Sequence, residues 1–180
     1  YYGVRPDLMP IAKGMSSGYL PIGGVMVGER VAAALLAEDR EFHHGYTYSG
    51  HPAACAVACT AINILRNERI VEHVRDVAAP RLAQRWAELA DHPLVGETRT
   101  LGLLGAIELV RDKSRRQFFR DPGKVGTLCR DFCFENGLVM RAVRDTMIVS
   151  PPLIITAEEI DELARRARRC LDLTWDAVRK

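Results

Sequence analysis

Residues 7–18 read Asp7-Leu8-Met9-Pro10-Ile11-Ala12-Lys13-Gly14-Met15-Ser16-Ser17-Gly18, and the chain continues through Tyr19-Leu20-Pro21-Ile22-Gly23. An apolar run ends at a lysine. Small residues and glycines follow, the composition of a backbone that turns tightly or lies close to a ligand. The short apolar run 24–28 then predicts a buried strand. Lys13 stands alone: only four of the 25 basic residues are lysine, and no other falls in the first 112 residues. In neutral water a lysine amine is almost fully protonated, with an ordinary pKa of about 10.4. It attacks carbonyls only where apolar surroundings or a nearby cation drive the proton off. A lysine at the end of an apolar strand, facing a loop-lined space, suits that requirement. The plain alternative is a lysine at an element boundary that points into water.

Downstream, the pattern predicts a short helix over 29–37 and a polar, aromatic loop over 41–51. Pro52 suits the first turn of a helix over 52–66, which is small and apolar nearly all round and is expected to be deeply buried. The style changes after Arg66. Residues 68–91 carry Ile70, Val74, Val77, Leu82, Trp86 and Leu89 at helical spacing, and Pro80 is expected to kink or split that stretch. Strands are predicted over 94–100 and 103–110, a charged surface loop over 111–123, and a helix over 124–136 stopped by Asn136-Gly137. Arg144-Asp145 separates strands 138–143 and 146–150 as a hairpin. Thr156 and Glu159 form a capping box that opens a last helix, 157–176. The fold class is therefore α/β: the end of a large α/β layer joined to a small α+β layer of helices on a few strands.

Composition narrows the function. Hydrophobic residues make up 48% and charged residues 27%, enough apolar material to bury a core rather than leave the chain disordered. The formal net charge is only +2, and basic and acidic residues interleave, so no nucleic-acid role is expected. No run of 18 apolar residues occurs, so no membrane span is expected. The five cysteines, at 55, 59, 129, 133 and 170, are odd in number and lie in helical settings. They read as reduced thiols of a cytoplasmic protein. Each four-residue pair lacks a histidine at ligand spacing, so both are read as small core-facing thiols and no metal is expected. The chain opens at Tyr1 in a motif-rich stretch and reads as part of a longer protein.

The lysine stretch resembles the second half of the class III aminotransferase signature. That signature has an aspartate six residues before the cofactor lysine, a small residue just before it, and a small pair four and five after it. Gly45-Tyr46-Thr47-Tyr48-Ser49-Gly50-His51-Pro52 looks like the family's second landmark. Leu138-Val139-Met140-Arg141 followed by Ser150-Pro151-Pro152-Leu153-Ile154-Ile155-Thr156 looks like its C-terminal landmark. The resemblance implies the C-terminal part of a fold type I transferase that uses pyridoxal 5'-phosphate. Residues 1–67 would be the remainder of the large cofactor-binding domain, and 68–180 the small C-terminal domain.

Residue by residue, the resemblance implies that Lys13 carries the cofactor and moves the proton during catalysis. Thr47 would hydrogen-bond the cofactor phosphate from the neighbouring subunit, in a homodimer with shared active sites. Its alternative is a turn residue capping the next helix. Arg141 would bind the substrate carboxylate as a planar fork, or be a solvent-facing strand residue. His43 and His44 read as loop packing. Tyr46 and Tyr48 either line the cofactor pocket or pack at a subunit contact. Asp7 belongs to the lysine motif and not to the pyridine ring. The acid for that ring, the aromatic on its face and the same-subunit phosphate loop belong before the lysine in this family, so the chain alone is expected to be inactive. The implied reaction moves an amino group from an amine or ω-amino acid to a keto acid such as pyruvate. The alternatives are an aminomutase of the same family and a non-catalytic truncated module.

Overall fold

The computed structural model describes residues 2–37 and 41–179. The chain divides into two compact units, Tyr1–Arg69 and Ile70–Lys180. In the first, strands β1 (Leu8–Ala12) and β2 (Gly23–Val27) form an antiparallel ribbon, with Leu8 opposite Val27 and Ala12 opposite Gly23. Helix α1 (Glu29–Leu35) follows directly, and α2 (Pro52–Asn67) packs against the turn that begins at Lys13.

Three expectations fail here. The strand over 24–28 is not buried: Val25, Met26 and Val27 are exposed. Helix α2 is not deeply buried either, since only Ala54 and Ala58 are covered. Cys59 on the same helix is exposed rather than core-facing. The reason is the same each time. Burial needs a second layer, and the described residues of this unit supply a two-stranded ribbon, the short α1 and the longer α2, too little to cover both faces of an apolar strand.

The second unit holds the core. Its sheet is antiparallel, in the order β3 (Val95–Leu101), β4 (Leu104–Leu109), β6 (Thr146–Val149), β5 (Arg141–Val143). Helices α3 (Ile70–His73) and α4 (Ala79–Ala87) run into one another through a π-helical turn at Val74–Ala78. Pro80 sits in the first turn of α4. It has no N–H to donate to the residue four before it, and the wider turn just ahead of it absorbs that missing bond. The expected split at Pro80 is thus a change of helical pitch. Leu82, Trp86, Ile107, Leu109, Met147, Ile160 and Leu171 are fully buried together with Cys129, Cys133 and Cys170.

Helix α5 (Lys124–Glu135) packs on β5 and β6, and α6 (Ala157–Val178) packs on α4 and α5. Local chemistry sets the helix ends. The Thr156 hydroxyl accepts from the Glu159 N–H at 3.2 Å while the Glu159 carboxylate accepts from the Thr156 N–H at 2.8 Å, a reciprocal cap worth about 1 kcal/mol. Gly137, at φ 69°, ends α5 in the left-handed region. Arg166 on α6 then donates to the Gly137 carbonyl at 2.8 Å. Arg81 forks Asp161 at 2.8 and 2.6 Å and so ties α4 to α6.

Candidate active site

Strand β1 delivers Lys13 to the start of a single 3-10 turn, Lys13–Met15. Lys13 itself has φ 51°. A side chain in the left-handed region costs on the order of 1–2 kcal/mol, so the surrounding hydrogen bonds must impose it. Ser16 N–H donates to the Lys13 carbonyl at 3.2 Å. The Ser16 side chain is buried and donates to the Leu20 carbonyl at 2.6 Å. Ser17, also left-handed at φ 50°, and Gly18 at φ 78° complete the reversal. The Lys13 side chain is exposed and makes no hydrogen bond or ion pair among the described residues.

At the other end of the ribbon, Gly28 N–H donates to the Asp7 carbonyl at 2.8 Å. Arg30 forks the Asp7 carboxylate at 3.0 and 2.6 Å. That guanidinium holds the Asp7 carboxyl below its ordinary pKa. Asp7 is thus the partner of Arg30. A Cβ at Gly28 would stand 3.1 Å from the Pro6 carbonyl oxygen, so a larger residue would press on the backbone of the ribbon.

The second landmark folds as a run of turns. Tyr46 N–H donates to the Ser49 hydroxyl at 2.9 Å, and Ser49 N–H returns to the Tyr46 carbonyl at 2.9 Å. Thr47 lies between them, exposed, with its hydroxyl unengaged among the described residues. It does not cap the next helix. His51 does, through Nδ1, which accepts from the Ala54 N–H at 3.4 Å. His44 sits between two aromatic rings, 5.5 Å from Phe42 and 5.3 Å from Tyr46, so it packs within the loop as expected. His43 pairs with Glu41 at 3.1 Å.

The loop that follows the lysine stretch meets the second landmark around one cleft of about 550 Å³. Leu20, Pro21, Ile22 and Gly23 line one side. Tyr46, Tyr48, Ser49, Gly50 and His51 line the other, with Ala54 and Cys55 of α2 at its base. Neither Lys13 nor Thr47 lines it. Both stand beside it in the chain: Gly23 is the strand partner of Ala12, the residue before Lys13, and Tyr46 and Tyr48 flank Thr47. Ser16 and His51 are the structural residues that periodicity did not single out. A serine in a glycine-rich turn and a histidine just before a helix-opening proline were the available signals.

Arg141 belongs to the second unit. It opens β5, pairs in register with Ile148, and its side chain is exposed without an ion-pair partner among the described residues. Met140 before it is buried. Alternation along the strand therefore puts the arginine on the outward side.

The family model for class-III aminotransferases matches residues 1–171. The putrescine–pyruvate aminotransferase of Pseudomonas aeruginosa is 58% identical over 178 residues, which is 99% of this chain and 39% of that protein. Mitochondrial gamma aminobutyrate transaminase 1 of Solanum lycopersicum is 40% identical over 91% of this chain and 32% of its own length. Among solved structures, an (S)-enantioselective omega-transaminase from Thermomicrobium roseum superposes with a TM-score of 0.87 at 40% identity. That match covers 96% of this chain and 38% of the other. A transaminase from directed evolution by ancestral reconstruction gives 0.91 at 38% identity over 98% of this chain and 40% of the other. The chain thus spans less than two fifths of the length of these two curated relatives, and its mixed α/β fold is that of the corresponding part of the fold type I transaminases. It belongs to the class-III aminotransferase family.

Proposed function

We propose that this chain carries the lysine end of a pyridoxal 5'-phosphate site in a transaminase that moves an amino group from an amine to a keto acid. The observation that carries the reading is the setting of Lys13. Its amine is free of any partner among the described residues and stands on a strained turn at the end of β1, a few residues before a cleft lined by Leu20, Pro21, Ile22 and Gly23 and by the second landmark. A lysine that must bond an aldehyde needs an uncommitted amine at a fixed place. The free Thr47 hydroxyl in a glycine-flanked run of turns suits a phosphate. The donor set therefore fits the cofactor.

Pyridoxal phosphate, when bound, supplies the electron sink that stabilises charge at the substrate carbon. Lys13 would hold the cofactor through Nζ, give it up to the substrate amine, and then use the same nitrogen to move the proton at the reacting carbon. Thr47 would donate its hydroxyl to the phosphate across a subunit boundary, in a homodimer with shared sites. Arg141 would grip the carboxylate of the acceptor. Residues 1–67 would be the end of the large domain and 68–180 the small domain. The 58% identity to a protein named for putrescine and pyruvate supports a diamine or ω-amine donor and pyruvate as acceptor. The reduced thiols support a cytoplasmic location.

The test is covalent. The protein is incubated with pyridoxal phosphate, reduced with borohydride, digested and analysed by mass spectrometry. A pyridoxyl group on Lys13, absent from Lys13→Ala, is expected. Label scattered over Lys113 and Lys124, or no label on the whole protein, would overturn the assignment.

A further inference from the structure

One cleft plays no part in the reading above. It lies in the second unit, where loop 111–123 meets the start of α5 and the end of α6, and holds about 570 Å³, within the usual size of small-molecule sites. Its floor is apolar: Phe119 packs on the core, Val125 is buried, Leu128 is partly covered, and Val178 comes from the last turn of α6. Its rim is basic, formed by Arg111, Arg120 and Lys124.

The rim differs from four arginines of this unit that are held in ion pairs. Arg81 is engaged by Asp161, Arg85 by Glu88, Arg166 by Glu162 and Arg168 by Asp91. The side chains of Arg111, Arg120 and Lys124 make no hydrogen bond or ion pair among the described residues. Two acids share the cleft, Asp121 and Asp131. Asp131 is taken by Arg130 at 2.8 Å, which leaves Asp121 to offset one of the three cations. The amides at the start of α5 are also engaged: Gly123 and Gly126 N–H both donate to Asp145 at 2.8 Å. A ligand here would be held by side chains, not by the helix terminus.

We propose that this cleft binds a small organic anion with an apolar body, in class an aryl carboxylate. Arg111 and Arg120 present planar forks that match a carboxylate, and Lys124 adds a third charge. Phe119 and Leu128 supply a surface for the ring. None of these residues is among Lys13, Thr47 and Arg141, to which the proposed function gives roles.

Fluorine NMR on the 180-residue chain at constant ionic strength tests this, with fluorophenylacetate as the probe and its uncharged amide as the control. The carboxylate should bind saturably and about tenfold or more tightly than the amide, a difference of about 1.4 kcal/mol. Arg120→Glu and, separately, Lys124→Glu should each weaken it by about tenfold. Arg165→Glu makes the same change in net charge outside the cleft and should leave binding unchanged. Equal binding of the amide, an equal loss in Arg165→Glu, or no saturable binding of the carboxylate would each overturn the proposal.

Discussion

Asp145 in the β5–β6 turn accepts a hydrogen bond from the backbone N–H of Gly126 in the first turn of α5, at 2.8 Å. Its other oxygen accepts from Gly123 N–H at the same distance. One carboxylate thus satisfies two amides that the helix leaves unpaired and places negative charge at its positive end. Asp145→Ala should cost about 1–2 kcal/mol, the usual range for a lost cap. Asp145→Asn, which keeps one acceptor oxygen, should cost less. Urea denaturation of the three proteins checks the order. Gly126→Ala should cost more than either, because a Cβ there would lie 2.0 Å from the Arg144 carbonyl oxygen and the turn would have to move.

Trp86 and Gly105 form a second constraint. The indole N–H donates to the Ala106 carbonyl at 3.1 Å, and the ring covers Gly105, where a Cβ would stand 3.1 Å from Trp86 and 2.9 Å from a Val149 methyl. Both neighbours are fixed in the core. Gly105→Val should therefore destabilise the chain by overpacking, by about 1–3 kcal/mol. Trp86→Ala should cost about 3–5 kcal/mol through a cavity and an orphaned carbonyl. Thermal unfolding of both variants, with hydrogen exchange on β4 and β6, checks the claim. Native-like stability of Gly105→Val would refute it.

His92 gives the second unit a pH dependence. The residue is 2% exposed, Nδ1 accepts from the Leu94 N–H at 3.1 Å, and Nε2 faces Asp172 at 3.3 Å. Burial pushes its pKa below the ordinary value and Arg168 pushes it the same way, while Asp172 and Asp91 oppose them. The ring also meets Trp175 edge-on at 6.5 Å. A depressed histidine pKa means that the unfolded chain binds the proton more readily. The stabilisation is complete above the unfolded value of about 6.5 and is lost as pH falls below it, through the lower folded pKa. Urea denaturation from pH 7.5 down to 5 should show that decline. His92→Gln should flatten this contribution, and an unchanged slope would count against it.

Much of this architecture was legible because its determinants are local. The Thr156–Glu159 box, the Asn136-Gly137 stop and the Arg144-Asp145 hairpin each declare themselves within a few residues. Other features depend on partners far along the chain. Asp145 looked like half of a turn pair, and its role at α5 rests on a residue 19 positions away. The strand expected over 138–143 shrinks to Arg141–Val143 because only those residues find partners on β6. The composition of α2 suggests burial, but composition cannot say which layers are present to cover it. At the candidate site, the motif pointed to Lys13 and Thr47, while the buried Ser16 that pins the lysine turn and the His51 that caps α2 emerged only from the folded backbone. The left-handed conformation of Lys13 was not legible at all, since lysine has no preference for it.

That conformation yields the sharpest prediction. Lys13 holds φ 51°, where a Cβ is unfavourable and glycine is not. If the position existed only for structure, glycine would serve better than lysine. Lys13→Ala and Lys13→Gly both remove the amine, and both should abolish covalent attachment of pyridoxal phosphate. They should differ in stability: Lys13→Gly should exceed Lys13→Ala by about 1 kcal/mol, because only glycine relieves the strain. Hydrogen exchange at the Ser16 and Ser17 amides, which close the turn onto Lys13 and Gly14, reads that difference directly. Greater protection in the glycine variant would mean that the protein tolerates a strained turn to hold an amine in place. Equal protection would mean that the backbone relaxes to an ordinary conformation once the lysine is gone, and the strain argument would fail.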